Sequence, residues 1–166
     1  MFSVFKDINR FAGKWKWLDS LAIFCARYLI YLMVVFLFFI GVIQNSLRLF
    51  IYCLISGLFS VFVINKIIYF FYKEHRPAEL RSSKVLIPVP GNPSFPSSHA
   101  SFVFGFSFLL SFYNLKLGII FLICSLFVGL ARVFCGVHWF RDIVGGIFAG
   151  LLSGTIIYYL LIYLKI

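Results

Sequence analysis

Long apolar runs dominate this chain and leave it few folds to choose from. Five follow one another: about Ser20 to Val42, Leu49 to Tyr72, Ser98 to Phe112, Leu117 to Ala131, and Val137 to Leu164. As helices, the first two are long enough to cross a ~30 Å hydrocarbon core. The 166 residues are 63% hydrophobic and 12% charged, with a mean hydropathy of +1.04. A soluble domain of this size cannot hide so much apolar surface, whereas a membrane bundle exposes it to lipid. The expected fold is therefore all-α, a polytopic membrane helix bundle of about five spanning helices. Residues 1–166 form a single domain in this reading.

Ahead of the first run, Phe2, Phe5, Ile8 and Phe11 or Ala12 recur at helical spacing among Lys6, Arg10, Lys14 and Lys16. That pattern predicts an N-terminal amphipathic helix lying on the membrane surface, with Trp15 and Trp17 at headgroup level. It has neither the apolar core nor the small-residue cleavage site of a signal peptide, so it is expected to be retained. The net charge of +10 comes from 15 Lys/Arg against 5 Asp/Glu. These charges sit at the ends of apolar runs, which favours lipid headgroups or phosphates as partners over nucleic acid. Cys25, Cys53, Cys124 and Cys135 show no paired or metal-like spacing and read as packing residues. Arg27 interrupts the first run; it either snorkels to the near interface or meets a polar headgroup. In the last run, Gly146, Gly150 and Gly154 form a small-residue stripe that permits close helix packing.

All five prolines fall between Pro77 and Pro96. This segment cannot be helical and should form an extended surface connection ending at a helix start. The second run then ends at Arg76-Pro77, and the third begins at Pro96-Ser97-Ser98-His99. With the third and fourth runs making a hairpin, Arg132–Asp142 returns to that same side. Three polar clusters thus meet at one membrane face, where ionisable groups are costly and a cluster of them points to a functional site.

Arg76 and Arg132 offer rigid guanidinium forks suited to phosphate oxygens. Pro96-Ser97-Ser98-His99 opens a helix, so free amides, the helix dipole and the hydroxyls of Ser97 and Ser98 add anion-binding donors. If the last helix begins near His138, then His138 and Asp142 stand four apart on one face. His138 can then act as a nucleophile whose tautomer Asp142 fixes. His99 is placed to serve as general acid to a leaving oxygen. The sequence has no acidic cluster for Mg²⁺ or Ca²⁺ and no Cys/His set for zinc, so no cofactor is expected. The parts suit metal-free phosphoryl transfer.

At these residues the chain resembles the type 2 phosphatidic acid phosphatase superfamily, whose motifs are Lys-x6-Arg-Pro, Pro-Ser-x-His and Ser-Arg-x5-His-x3-Asp. They stand here as Arg76-Pro77, Pro96-Ser97-Ser98-His99 and Ala131-Arg132-x5-His138-x3-Asp142. The resemblance implies a phosphohistidine at His138, oriented by Asp142. It implies that His99 protonates the leaving group and later activates water, and that Arg76, Ser97, Ser98 and Arg132 hold the phosphoryl group. Tyr69 occupies the place of the family lysine. Lys66 and Lys73 flank it, and Lys73, nearer the motif side, is the better though weak substitute. Ala131 replaces the family serine before Arg132.

Within the superfamily the chain is most similar to the bacitracin-resistance type of undecaprenyl-diphosphatase. That likeness runs through Leu18-Asp19-Ser20, Asn65, Tyr72–Pro77, Ser94–His99, Gly129–Arg132 and Gly136-Val137-His138. It implies release of phosphate from undecaprenyl diphosphate, a cell-wall lipid carrier. Relatives acting on phosphatidylglycerophosphate, phosphatidate or lipid A 1-phosphate carry similar motifs and form the alternative. A non-enzymatic membrane carrier or scaffold is the rival from another class.

Several residues near the motifs have plainer readings. His75 reads as a solvated loop residue, Glu74 as a local partner of Arg76 or Lys73, and Trp139 and Phe140 as interface anchors. Arg141 is left between Asp142 and headgroups. The basic residues gather on the motif side, including Arg81 and Lys84, which by the positive-inside tendency would turn that side to the cytoplasm. The resemblance instead implies an integral protein of the bacterial cytoplasmic membrane with its active site outward. The outward reading is adopted, and a label at Ser82 would test it.

Overall fold

A computed structural model of the chain describes residues 2–79, 83–89 and 91–166, without the side chains of Phe2 and Ser3. Arg81, Ser82, Pro90 and the side chain of Phe2 in the predicted amphipathic stripe therefore lie outside the described residues. Every regular element among the described residues is a helix: α1 (Phe2–Asn9), α2 (Lys16–Arg27), α3 (Leu29–Ile43), α4 (Arg48–Phe59), α5 (Asn65–Phe71), α6 (Ser98–Tyr113), α7 (Leu115–Phe134) and α8 (Phe140–Leu164). A π-helical turn, Ser60–Ile64, joins α4 to α5 without a break.

The apolar runs become helices of three kinds. Arg48–Phe71, α7 and α8 are each long and apolar enough to cross a membrane. The predicted first span is broken: α2 and α3 meet at 52°, and together they count as a fourth candidate. The break falls at Tyr28, beside Arg27, where the carbonyl of Ala26 accepts a 3.4 Å bond from Nη1 of Arg132. A buried cation thus takes hold of the backbone at the bend. Helix α6 has 16 residues, roughly 24 Å at 1.5 Å per residue, and falls short of a full core thickness. It lies at the centre of the bundle instead, with Val103, Phe106, Leu109 and Leu110 all buried. A helix apolar on every side is suited to that position.

Helix α6 packs most broadly against α8 and α7, then α4. Small residues allow the α6–α8 approach: a Cβ at Gly150 would stand 2.6 Å from the amide nitrogen of Gly105 and 2.8 Å from the carbonyl oxygen of Ser101. Hydroxyls tie both helices to α4. Ser56 Oγ donates to the Gly105 carbonyl at 2.8 Å, and Ser153 Oγ donates to the Ser56 carbonyl at 2.6 Å. Outward, Phe70 and Phe71 are each 80% exposed, as expected of side chains facing lipid.

Helix α1 does not simply rest on the membrane. Its face holding Phe5 and Asn9, together with Ala12 just beyond it, is buried in the protein. The proline-rich connection is likewise more than surface. Asn9 donates to the carbonyls of Lys84 and Phe134 at 2.9 and 2.8 Å, and its side-chain oxygen takes the Lys84 amide at 2.9 Å. The Leu86 amide reaches the Cys135 carbonyl at 3.1 Å. One asparagine can satisfy all these groups because it carries both donor and acceptor.

If the α6–α8 crossing depends on glycine, Gly150→Ala should destabilise the protein by about 1–3 kcal/mol through overpacking. Gly91→Ala, where nothing lies within 4 Å of the added atom, should be nearly silent. Thermal unfolding in detergent compares the two, and equal melting temperatures would refute the packing account.

Candidate active site

The three predicted clusters come together where α5, α6 and α8 begin or end on one side of the bundle. Arg76 follows α5 and is 1% exposed. Its guanidinium is fixed almost wholly by neutral acceptors. Nη1 donates to the Val137 carbonyl at 2.8 Å, Nε to the Asn92 carbonyl at 3.1 Å, and Nη2 to Asn92 Oδ1 at 3.1 Å and the Pro93 carbonyl at 3.3 Å. Nη1 also stands 3.0 Å from Nε2 of His138. Residues more than sixty positions apart are thereby in direct contact.

His138 does not lie on α8 as expected. The helix starts at Phe140, and His138 sits just before its N-cap, Trp139. The pairing with Asp142 survives by another route. Asp142 is the third residue of α8, and its Oδ2 accepts the Trp139 amide at 2.8 Å, capping the helix. The same oxygen accepts Ser94 Oγ at 2.5 Å and lies 3.3 Å from Nδ1 of His138. A proton on Nδ1 facing this carboxylate leaves the Nε2 lone pair to accept from Arg76. Burial, then the positive charges of Arg76 and Arg132, hold the imidazole well below the usual histidine range. It is therefore neutral in the resting fold.

Arg132, near the end of α7, is 3% exposed. Beyond the bond to Ala26, its Nε and Nη2 have no hydrogen-bond partner in the structure. His99, in the first turn of α6, stands within electrostatic reach of Arg132, His138 and Arg76, and with Arg132 it lines a cavity of about 380 Å³. Ser97 is the N-cap of α6; its amide donates to the Asp142 carbonyl at 3.0 Å, and its buried hydroxyl has no partner. Ser98 points elsewhere, 3.0 Å from the hydroxyl of Tyr69.

Tyr69 is no vacant lysine position. Buried, its hydroxyl donates to the Pro96 carbonyl at 2.8 Å and accepts from Asn92 Nδ2 at 3.1 Å. It moors α5 to the start of α6. Lys66 is exposed among apolar side chains of α4–α5, and Lys73 is exposed on an outer cleft with Glu74, His75 and Glu79.

Asn92 and Ser94 are the residues that motif reading passed over as site members. Asn92 links Arg76 to Tyr69 and Ser98, and Ser94 links Asp142 to the connection. Their position in a proline-rich loop gave no periodic signal. Other neighbours differ from expectation as well. Glu74 pairs with Arg141 and with the Tyr72 hydroxyl, not with Arg76 or Lys73. Trp139 is buried edge-on against Phe5, its indole N–H donating to the His75 carbonyl at 2.9 Å. His75 itself is exposed and bonds Glu79 at 2.8 Å.

Residues 46–165 match the sequence pattern of the PAP2 superfamily. The chain belongs to that superfamily. This PAP2 chain is 29% identical to undecaprenyl-diphosphatase BcrC of Bacillus subtilis, over 95% of its own length and 82% of the relative's. It is 27% identical to the bacitracin transport permease protein BcrC of Bacillus licheniformis, over 93% and 77% respectively. Its fold is similar to the crystal structure of Aquifex aeolicus LpxE, with a TM-score of 0.67 and 22% identity, covering 95% of this chain and 93% of that one.

In this PAP2 chain the depressed pKa of His138 links the site to stability. Unfolded, the imidazole takes up a proton near pH 6.5; folded, it refuses one until well below that. Stability from this group is present above about pH 6.5 and is lost as the medium becomes more acid, because the unfolded chain then binds more protons. His138→Asn should therefore lose less melting temperature between pH 7.5 and pH 5 than the unaltered protein. An equal or larger loss would contradict the burial account.

Proposed function

We propose that this chain releases the terminal phosphate of undecaprenyl diphosphate at the outer face of a bacterial cytoplasmic membrane, through a phosphohistidine on His138. Family membership supports lipid phosphatase chemistry, and the relative in Bacillus subtilis supports the particular substrate. The observation that carries the reaction is the approach of Arg76 Nη1 to His138 Nε2 at 3.0 Å, with Asp142 behind the other ring nitrogen.

In this reading a terminal phosphate takes the Arg76 hydrogen now directed at Nε2, freeing the histidine lone pair for the phosphorus. Arg76 and Arg132, with the Ser97 hydroxyl, neutralise the equatorial oxygens where charge spreads in the transition state. As the Nε2–P bond forms, the bridging P–O bond breaks and its electron pair stays on undecaprenyl phosphate. Asp142 balances the positive imidazole. A phosphomonoester's second pKa is near 6, so this leaving oxygen needs little protonation. The larger share of His99's work is then the second step, taking a proton from the water that attacks the phosphohistidine. Inorganic phosphate departs and His138 is neutral again. Ser98 and Lys73 have no direct part: Ser98 holds Tyr69 and Asn92, and Lys73 remains outside.

His138→Ala should lower phosphate release from undecaprenyl diphosphate by at least about a thousandfold, with chelator present and the fold intact. Retained turnover would remove His138 from the nucleophile's role, whereas no phosphate release by the unaltered protein would favour the carrier reading that the relative from Bacillus licheniformis bears in its name. A substrate panel including phosphatidylglycerophosphate, phosphatidate and lipid A 1-phosphate distinguishes the remaining phosphatase readings. The preferred substrate should be the diphosphate.

For orientation, Lys73→Cys in a variant freed of its other cysteines should react with a membrane-impermeant maleimide added outside intact cells. Labelling only after lysis would place the site in the cytoplasm.

A further inference from the structure

We infer that Arg27 binds the second phosphate of a diphosphate substrate, the one that stays on the lipid when the terminal phosphoryl group moves to His138. This rests on the diphosphatase reading above. The bend between α2 and α3 places Arg27 in the wall of the same cavity of about 380 Å³ that His99 and Arg132 line. Tyr28 and Tyr31 complete that wall, and Ile87 contributes an apolar flank. Arg132 grips the Ala26 carbonyl at 3.4 Å, next to Arg27 in the chain, while its Nε and Nη2 stay buried without partners. A buried guanidinium with two idle donors beside an open cavity calls for an anionic occupant.

No carboxylate of the protein supplies that anion. Asp7 pairs with Arg10, Asp19 takes the Gly13 amide, Glu74 holds Arg141, Glu79 holds His75, and Asp142 is committed to the α8 cap and His138. These are all five acidic residues of the chain. Arg27 contacts the ring of Tyr28, its cationic carbon 5.5 Å from the centroid, and keeps its polar edge available.

The order of groups fits a diphosphate lipid read from one end. The terminal phosphate belongs between Arg76 and His138, and the bridging oxygen beside His99. The second phosphate then falls between Arg27 and Arg132, a guanidinium that the two phosphates share. Beyond it, the wall passes from Tyr28 and Tyr31 to their neighbours Leu29 and Leu32, which open an apolar groove between α3 and α7. That groove gives the isoprenoid tail its direction into lipid. A monophosphate lipid would leave Arg27 without a partner.

The test uses the full-length protein in detergent with two probes. Farnesyl diphosphate would occupy both phosphate positions, and inorganic phosphate, as competitive inhibitor, only the His138 position. Arg27→Gln should lower kcat/KM for farnesyl diphosphate by about 10- to 100-fold, the range expected for charge-assisted hydrogen bonds. The inhibition constant of inorganic phosphate should stay within about twofold, and Arg27→Lys should recover part of the loss. Equal weakening of both probes, or no weakening of either, would overturn the assignment while leaving the diphosphatase reading intact. An unaltered protein that fails to release phosphate from farnesyl or undecaprenyl diphosphate would instead overturn that reading, and the assignment with it.

Discussion

One carboxylate oxygen does three structural jobs at the centre of this site. Oδ2 of Asp142 closes the first turn of α8 through the Trp139 amide, anchors the proline-rich connection through Ser94, and faces the ring of His138. A helix N-terminus needs such an acceptor, since its first amides have no partner within the helix. The acceptor is here the group that orients the histidine. Helix geometry and site geometry therefore cannot vary independently. An amide in place of the acid would retain a capping oxygen but lose the charge that balances an imidazolium.

Around that carboxylate the protein gathers more positive charge than it neutralises. Arg76 is satisfied by carbonyls and an asparagine, which bond its hydrogens without cancelling its charge. Arg132 is less satisfied still. Burying cations near one another without anions is unfavourable, and the packed small residues of α6 and α8 and the threading of Asn9 through the connection stabilise the fold against that cost. A phosphate held between them, as proposed, would remove the imbalance. The cost of burying these cations and the proposed affinity for an anion thus have the same origin.

The fold was legible in the sequence where a single period or composition decides it. The apolar runs gave the helices, and the prolines gave the irregular connection. Helix-hairpin topology brought Arg76, His99, Arg132, His138 and Asp142 to one side, and the structure gathers them there. What escaped depends on contacts between segments that carry no pattern of their own. The bend at Tyr28 is held by Arg132 from a hundred residues away, and no local signal marks it. The burial of α1 depends on Asn9, one polar residue in an otherwise membrane-like amphipathic stripe. The start of α8 moved past His138 because Asp142 caps Trp139, and spacing alone could not choose between that cap and a helix begun two residues earlier.

Tyr69 illustrates how a lost charge can be replaced by geometry. In the superfamily pattern a lysine stands there, and a mobile ammonium would add attraction for phosphate. The phenol adds none. It fixes the Pro96 carbonyl, Ser98 and Asn92, and through Asn92 it fixes Arg76. A rigid guanidinium held in register loses less freedom on meeting its ligand than two flexible cations would. The π-helical turn before α5 serves the same end, since the extra residue in that turn rotates the rest of the helix. Asn65 and Tyr69 are then buried together, Asn65 accepting Ser101 on α6 at 3.0 Å and Tyr69 gripping the residues just before it. Position is secured from the helix side, so in the proposed reaction a phosphate need only complete what the bundle has already arranged.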